Sequence, residues 1–274
     1  MLVAAVAMTA IGVTVEPAAA VPELVGGRLR VACGYSHRLA DDPIVYPGQS
    51  GRSHLHEFFG NITTDAHSTY DTLRAGETTS SRPADASAYW VPMLLQDGQP
   101  VIPLGLVTYY THGEKDPSTI QAHPEGLRVI AGDAHASAPQ PRRIVEWRCV
   151  DGVGLSTGTV PTCLPGAKLQ LVVRFPDCWD GRNLDSADHR SHMAYSMPNG
   201  LVGDHTCPPT HPVPVPTLQV EVNYDTVGGS GVTLSSGSAN TAHADFFNAW
   251  DQAELERQVS RGVKVVLAPM DCQS

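Results

Sequence analysis

The histidines of this sequence fall into short groups whose spacing suggests chemistry. His54 and His56 form an H-x-H pair, and Asp188, His189 and His192 form D-H-x-x-H. His205 and His211 flank Cys207, and His243 with Asp245 makes H-x-D. Residues two apart on a strand share a face, so H-x-H can aim two imidazoles at one point. Residues three apart share a helix face, which would serve His189 and His192. Imidazole with carboxylate suits zinc, copper, iron or manganese. Without a metal the same groups can act as general acids and bases. A lone histidine is more commonly a structural or solvated residue; the co-occurrence of these groups is what singles them out. The catalytic candidates are Asp188, His189, His192, His243 and Asp245. The metal-ligand candidates are His54, His56 and His189.

Asp177, Asp180, Asp185 and Asp188 crowd the turn-rich stretch FPDCWDGRNLDSADHRSHM. Spaced carboxylates can hold calcium, but the EF-hand register and its closing glutamate are absent. Capped turns are the simpler reading. A pair of these acids could also serve glycoside hydrolysis, where two carboxyls flank the bond. Trp90 in SAYWVP and Trp179 in DCWDG are candidate stacking platforms for a sugar ring, while Trp147 and Trp250 read as core. The patterns GxSxG and HExxH are absent, as is a glycine-rich phosphate loop.

Several elements must position these groups. An apolar run from Leu2 to Val15 ends in Ala18-Ala19-Ala20 and reads as a signal peptide over residues 1–20. Residues 21–274 then form a single secreted domain. Six cysteines behind such a leader imply disulfides. Pairing near neighbours gives Cys149–Cys163 and Cys178–Cys207, leaving Cys33–Cys272 to join the ends. The formal charge of −10 argues against a nucleic-acid partner. No later segment is long and apolar enough for membrane insertion.

The expected fold is mainly β: an antiparallel β-sandwich-like domain with long loops, a C-terminal amphipathic helix and disulfides. Strands are expected over 29–33, 88–95, 101–110, 126–131, 144–149, 168–175, 193–196, 218–224 and 263–267. KLQLVVRF, at 168–175, is the clearest of them. Residues 41–60 and 63–86 read as loop. Phe247, Trp250, Leu255 and Val259 fall near one face, which predicts a helix over 246–259.

The stretches DDPIVYPGQSGRSHLHEFFGN, SAYWVP, FPDCWDGRNLDSADHRSHMAYS, CPPTHPVPVP and HADFFNAWD together resemble a family of secreted fungal and actinobacterial proteins classed as a domain of unknown function. The resemblance runs from about Cys33 to Cys272. The family's motifs match at His54, His56, Trp179, Asp180, Asn183, Asp185, Asp188, His189, His192, His211, His243, Asp245 and Asn248. Asn183 and Asn248 thereby join Trp90 and Trp179 as substrate-binding candidates. The resemblance implies an extracellular protein. Some members carry appended carbohydrate-binding modules, which points to polysaccharide or cell wall by analogy.

The expected function is a hydrolase or lyase acting on extracellular or cell-wall polysaccharide through a His/Asp site, with a divalent metal as a possible cofactor. The alternatives are a non-catalytic glycan- or wall-binding module and an extracellular metal-binding protein.

Overall fold

The computed structural model describes residues 27–150, 159–200 and 204–264. The expected signal peptide, Cys272 and residues 265–267 of the expected last strand lie outside the described residues. Ten strands form the two main sheets: β1 (Arg28–Cys33), β2 (Tyr35–Leu39), β3 (His56–Gly60), β4 (Ala88–Pro92), β5 (Pro103–Thr111), β6 (Arg128–Gly132), β7 (Val145–Val150), β8 (Lys168–Arg174), β9 (Thr217–Tyr224) and β10 (His243–Phe247). The first sheet has the order β1-β5-β9-β8-β7 and the second β2-β3-β4-β10-β6. All pairings within them are antiparallel. The fold is therefore mainly β and antiparallel, as expected.

Period-two alternation explains how the sheets stack. Leu169, Leu171 and Val173 of β8, with Leu218, Val220 and Val222 of β9, enter one core. Phe59, Tyr89, Val91, Val129 and Phe246 enter it from the second sheet. The Tyr89 and Tyr110 hydroxyls meet across the sandwich at 2.6 Å. A fully buried side chain of this size contributes about 1.5–3 kcal/mol through removal from water.

The second sheet is covered on its other face as well. Phe58, Trp90, Ile130 and Phe247 form a second core there with Ile44 and Leu73. Leu73 lies on α1 (Tyr70–Ala75), which Thr69 caps by accepting from the Thr72 amide. Burial on both faces removes the polar alternation that marks a half-exposed strand. Accordingly β3 lies inside the stretch expected to be loop, and α1 inside the polar segment 63–86.

The expected helix over 246–259 begins later. Phe246 and Phe247 complete β10, pairing with Tyr89 and Ala88 of β4. The helix α2 (Gln252–Gln258) starts after Asp251, whose side chain accepts from the Glu254 amide. A further helical turn, Val259–Val263, follows it. Thus Val263, expected to open a strand, ends a helical turn.

The disulfides Cys149–Cys163 and Cys178–Cys207 form as the spacing predicts. Cys33 carries a buried thiol. Among the described residues no helix is long and apolar enough to cross a membrane.

Candidate functional site

Strand register builds the site. His56 pairs with Pro92 and Phe58 with Trp90. Trp90 in turn pairs with Asp245. Asp245 pairs with Ile130, and His243 with Gly132. Paired residues lie side by side on one face, so His56, Asp245 and His243 all rise from the outer face of the second sheet. Phe58 and Trp90 fill that face inland, and the histidines stand at its end. Gly132 must lack a side chain: its φ is +81°, and a Cβ would sit 2.6 Å from the Ala242 carbonyl and 2.9 Å from the His243 Cα.

The loop between β2 and β3 wraps over this end. The Asp41 side chain accepts from the Gly51 and Ala66 amides, and Asp42 accepts from Ile44 and Val45. A second loop arrives from the FPDCWDG block. Asp188 caps it by accepting from the Arg190 and Ser191 amides, and these bonds hold its carboxyl well below the usual range. Between the two loops lies a pocket of about 310 Å³. It is lined by His54, His243, Asp245, Asp42, Asp188 and His189, with Tyr46, Asp133, His135 and Arg190 also on its walls.

Three imidazoles cluster at the pocket: His54 and His243 line it, and His56 is buried beside them. The His54 and His243 Nε2 atoms are 3.2 Å apart. One potential donor atom from each of His54, His56 and His243 lies within 4.8 Å of the others. His56 Nδ1 donates to the Asp41 carbonyl at 2.9 Å, and His243 Nδ1 donates to the Thr241 carbonyl at 2.8 Å. A carbonyl only accepts, so each ring keeps its proton on Nδ1 and a lone pair on Nε2. The His56 Nε2 is buried without a hydrogen-bond partner. Burial pushes all three imidazoles down, His54 to about 4 and His243 to about 3. These are the residues that could hold a metal.

The carboxyls of the pocket differ. Asp245 is almost fully buried, and its Oδ2 has no hydrogen-bond partner. Burial pushes its carboxyl well up, Asp42 adds to the rise, and Arg190 opposes it. Asp42 is raised by burial too, but two backbone amides counter the rise. His189 donates from Nδ1 to Asp185, 3.0 and 3.1 Å from its two oxygens. That leaves Nε2 as the nitrogen available to the pocket. His189 has φ +58°, a left-handed conformation that costs a non-glycine residue energy.

The sequence candidates thus separate. His54, His56, His243, Asp245, His189 and Asp188 come together, though the third imidazole beside His54 and His56 is His243 rather than His189. His192 is buried beneath the loop: its Nε2 donates to the Arg128 carbonyl at 2.6 Å, and its Nδ1 lies 2.9 Å from Ser186 Oγ. It pins the loop that carries His189. Trp90 is fully buried against Phe58, so its ring meets core rather than ligand. Trp179 donates to the Asn183 carbonyl and lines a separate depression near α2. The Asn183 side chain binds Asp180 within a turn. Asn248 is buried and donates to the His123 and Pro124 carbonyls. Asp177 is buried in an ion pair with Lys115. Asp41, Asp42, Tyr46, Asp133, His135 and Arg190 were not singled out from the sequence; the doubled aspartate before Pro43 was the available signal.

The site is therefore a His/Asp pocket built at one end of a doubly covered β-sheet. Residues 42–250 match the family described as a domain of unknown function (DUF1996), and the chain belongs to that family. No curated protein and no solved structure matches the chain.

Proposed function

We propose that this chain is a secreted hydrolase or lyase acting on extracellular or cell-wall polysaccharide, with its reaction centre in the His/Asp pocket. The observation that carries the reading is the Asp185–His189 pair. A carboxylate that accepts from Nδ1 fixes the ring and leaves Nε2 to take a proton, from water in hydrolysis or from a ring carbon in elimination. Asp245 offers an unpartnered buried oxygen to the same space.

The shape of the site supports a polymeric substrate. The pocket is of the size of small-molecule sites, which begin at about 300 Å³. It adjoins a second depression of about 320 Å³ that shares Ile130, Asp133 and Arg190. Tyr46 stands in the first and Tyr195 in the second, so each half of the groove has an aromatic ring for a sugar. The two disulfides suit an oxidising compartment.

The test is product release from insoluble glucan, chitin and peptidoglycan, read by new reducing ends and by mass spectrometry. The wild-type protein should release oligosaccharides from one of them, and His189→Ala and Asp245→Asn should not. Folded variants that keep full activity would refute the assignment. Retention on a polymer with no product released would favour the wall-binding module instead.

A further inference from the structure

We propose that His54, His56 and His243 bind one divalent transition cation of the zinc class, with a further coordination position open to the pocket. The inference rests on the pocket being the functional site, but on no particular substrate.

Four observations converge. First, two nitrogens bound to one tetrahedral zinc stand about 3.3 Å apart, from bonds of about 2.05 Å. The His54 and His243 Nε2 atoms are 3.2 Å apart. Potential donor atoms of all three residues lie within 4.8 Å of one another. Second, the outer shell is in place. His56 and His243 each donate Nδ1–H to a backbone carbonyl, the arrangement that fixes a ligating imidazole with Nε2 toward the metal. Third, His56 is fully buried and its Nε2 has no partner. Burying such a group unpaired forfeits its hydration with nothing in return, and a metal bond removes that cost. Fourth, four carboxyl groups and a single arginine line the pocket, an acidic surround that favours a cation over an anion.

The donor set narrows the ion. Three neutral imidazoles suit zinc, copper, nickel or iron(II) and are poor ligands for calcium or magnesium, which take oxygen. Three protein ligands leave zinc one position for water or substrate, as in catalytic rather than structural sites. The pocket supplies the room, since His54 and His243 both line it. The competing explanation is a plain N–H···N hydrogen bond from His54 to His243 that locks the loop to the sheet.

The experiment uses the full mature protein, stripped with a chelator and dialysed. Zn2+ binding is measured by calorimetry and elemental mass spectrometry, and Co2+ is added separately as an optical probe of coordination. The expected result is one Zn2+ per chain and the visible absorption of a tetrahedral Co2+ site. His54→Ala and His243→Ala should each weaken Zn2+ binding by about 100-fold or more, since even outer-shell losses cost 10–100-fold. His189→Gln should leave binding unchanged. Far-UV circular dichroism of the stripped variants checks their fold, and the half-buried His54 is the position where substitution disturbs it least. Absence of stoichiometric binding, or full affinity in a folded His54→Ala variant, overturns the proposal. The two readings also fail separately. Sugar release without bound metal sinks this inference and spares the polysaccharide assignment; bound metal without sugar release does the reverse.

Discussion

The outward faces of the two sheets carry similar residue types and use them in opposite ways. On the first sheet, Arg148 of β7, Gln170 of β8, and Gln219, Glu221 and Asn223 of β9 form a ladder. Glu221 accepts from Arg148 at 2.7 Å and from Gln219 at 2.6 Å, and Gln170 donates to Asn223 at 2.8 Å. Each of these polar side chains has a neighbour on the same sheet. On the second sheet, His56 Nε2, Trp90 Nε1 and Asp245 Oδ2 are buried without hydrogen-bond partners. Folding satisfies nearly all buried polar atoms, so an unsatisfied cluster needs an explanation other than stability. The first face is architecture; Trp90 on the second lies in its core, and the end where His56 and Asp245 stand is the part we propose as the functional site.

Substitutions can break that contrast. The largest effect is expected from His189→Ala, which removes the oriented imidazole. Sugar release should fall by about 10²–10⁴-fold, or about 3–5 kcal/mol in barrier, while the urea midpoint barely moves. A loss of stability instead would place His189 among the structural groups.

A change of about 3 kcal/mol is expected from pH at Asp85, which lies between the two sheets. Burial raises its carboxyl to about 6, although Ser87, Tyr89 and Ser80 all bond to it. An unfolded aspartate titrates near about 3.9. The folded state therefore holds the proton more tightly. Its contribution is fully present below about pH 4 and is lost as pH rises to about 6. Urea denaturation across that window should show Asp85→Asn relieved of the decline.

Gly132→Ala should cost more than the ~1–3 kcal/mol of a strained φ alone, because the new Cβ also meets the Ala242 carbonyl at 2.6 Å. Because the new Cβ presses on His243, it should also weaken Zn2+ binding. That joint loss ties the edge of the sheet to the site. Glu221→Ala removes the shared acceptor of Arg148 and Gln219 and should cost about 2 kcal/mol in urea unfolding, with sugar release and Zn2+ affinity intact. Impaired activity in a folded Glu221→Ala would erase the distinction between the faces.

The legibility of the sequence follows the same divide. β9 is readable because one face is buried and the other polar, and β8 because its β-branched apolar run is bounded by Pro165-Gly166 and Pro176. β3 and β10 are not, because HEFFG and HADFF are buried throughout. Phe247, Trp250, Leu255 and Val259 have helical spacing, yet the first belongs to a strand. The disulfide pairs, 14 and 29 residues apart, follow proximity along the chain. The H-x-H and H-x-D motifs point to the pocket, but their union with each other, rather than with His189, depends on register. Asp42 and Arg190 gain meaning only from loops folding over the sheet end, which no local pattern records.

The position of β10 has a consequence for biogenesis. It is the last strand among the described residues, yet it lies inside the second sheet, between β4 and β6. β9 does the same in the first sheet, between β5 and β8. A nascent chain that has delivered everything before residue 243 therefore holds two unmatched strand edges, on β4 and β6, and only two of the three clustered histidines. Such non-local closure is slow and leaves aggregation-prone edges exposed in the meantime. It also acts as a timer: the pocket is incomplete in any chain that stops short of β10, and it matures only once His243 and Asp245 have been delivered.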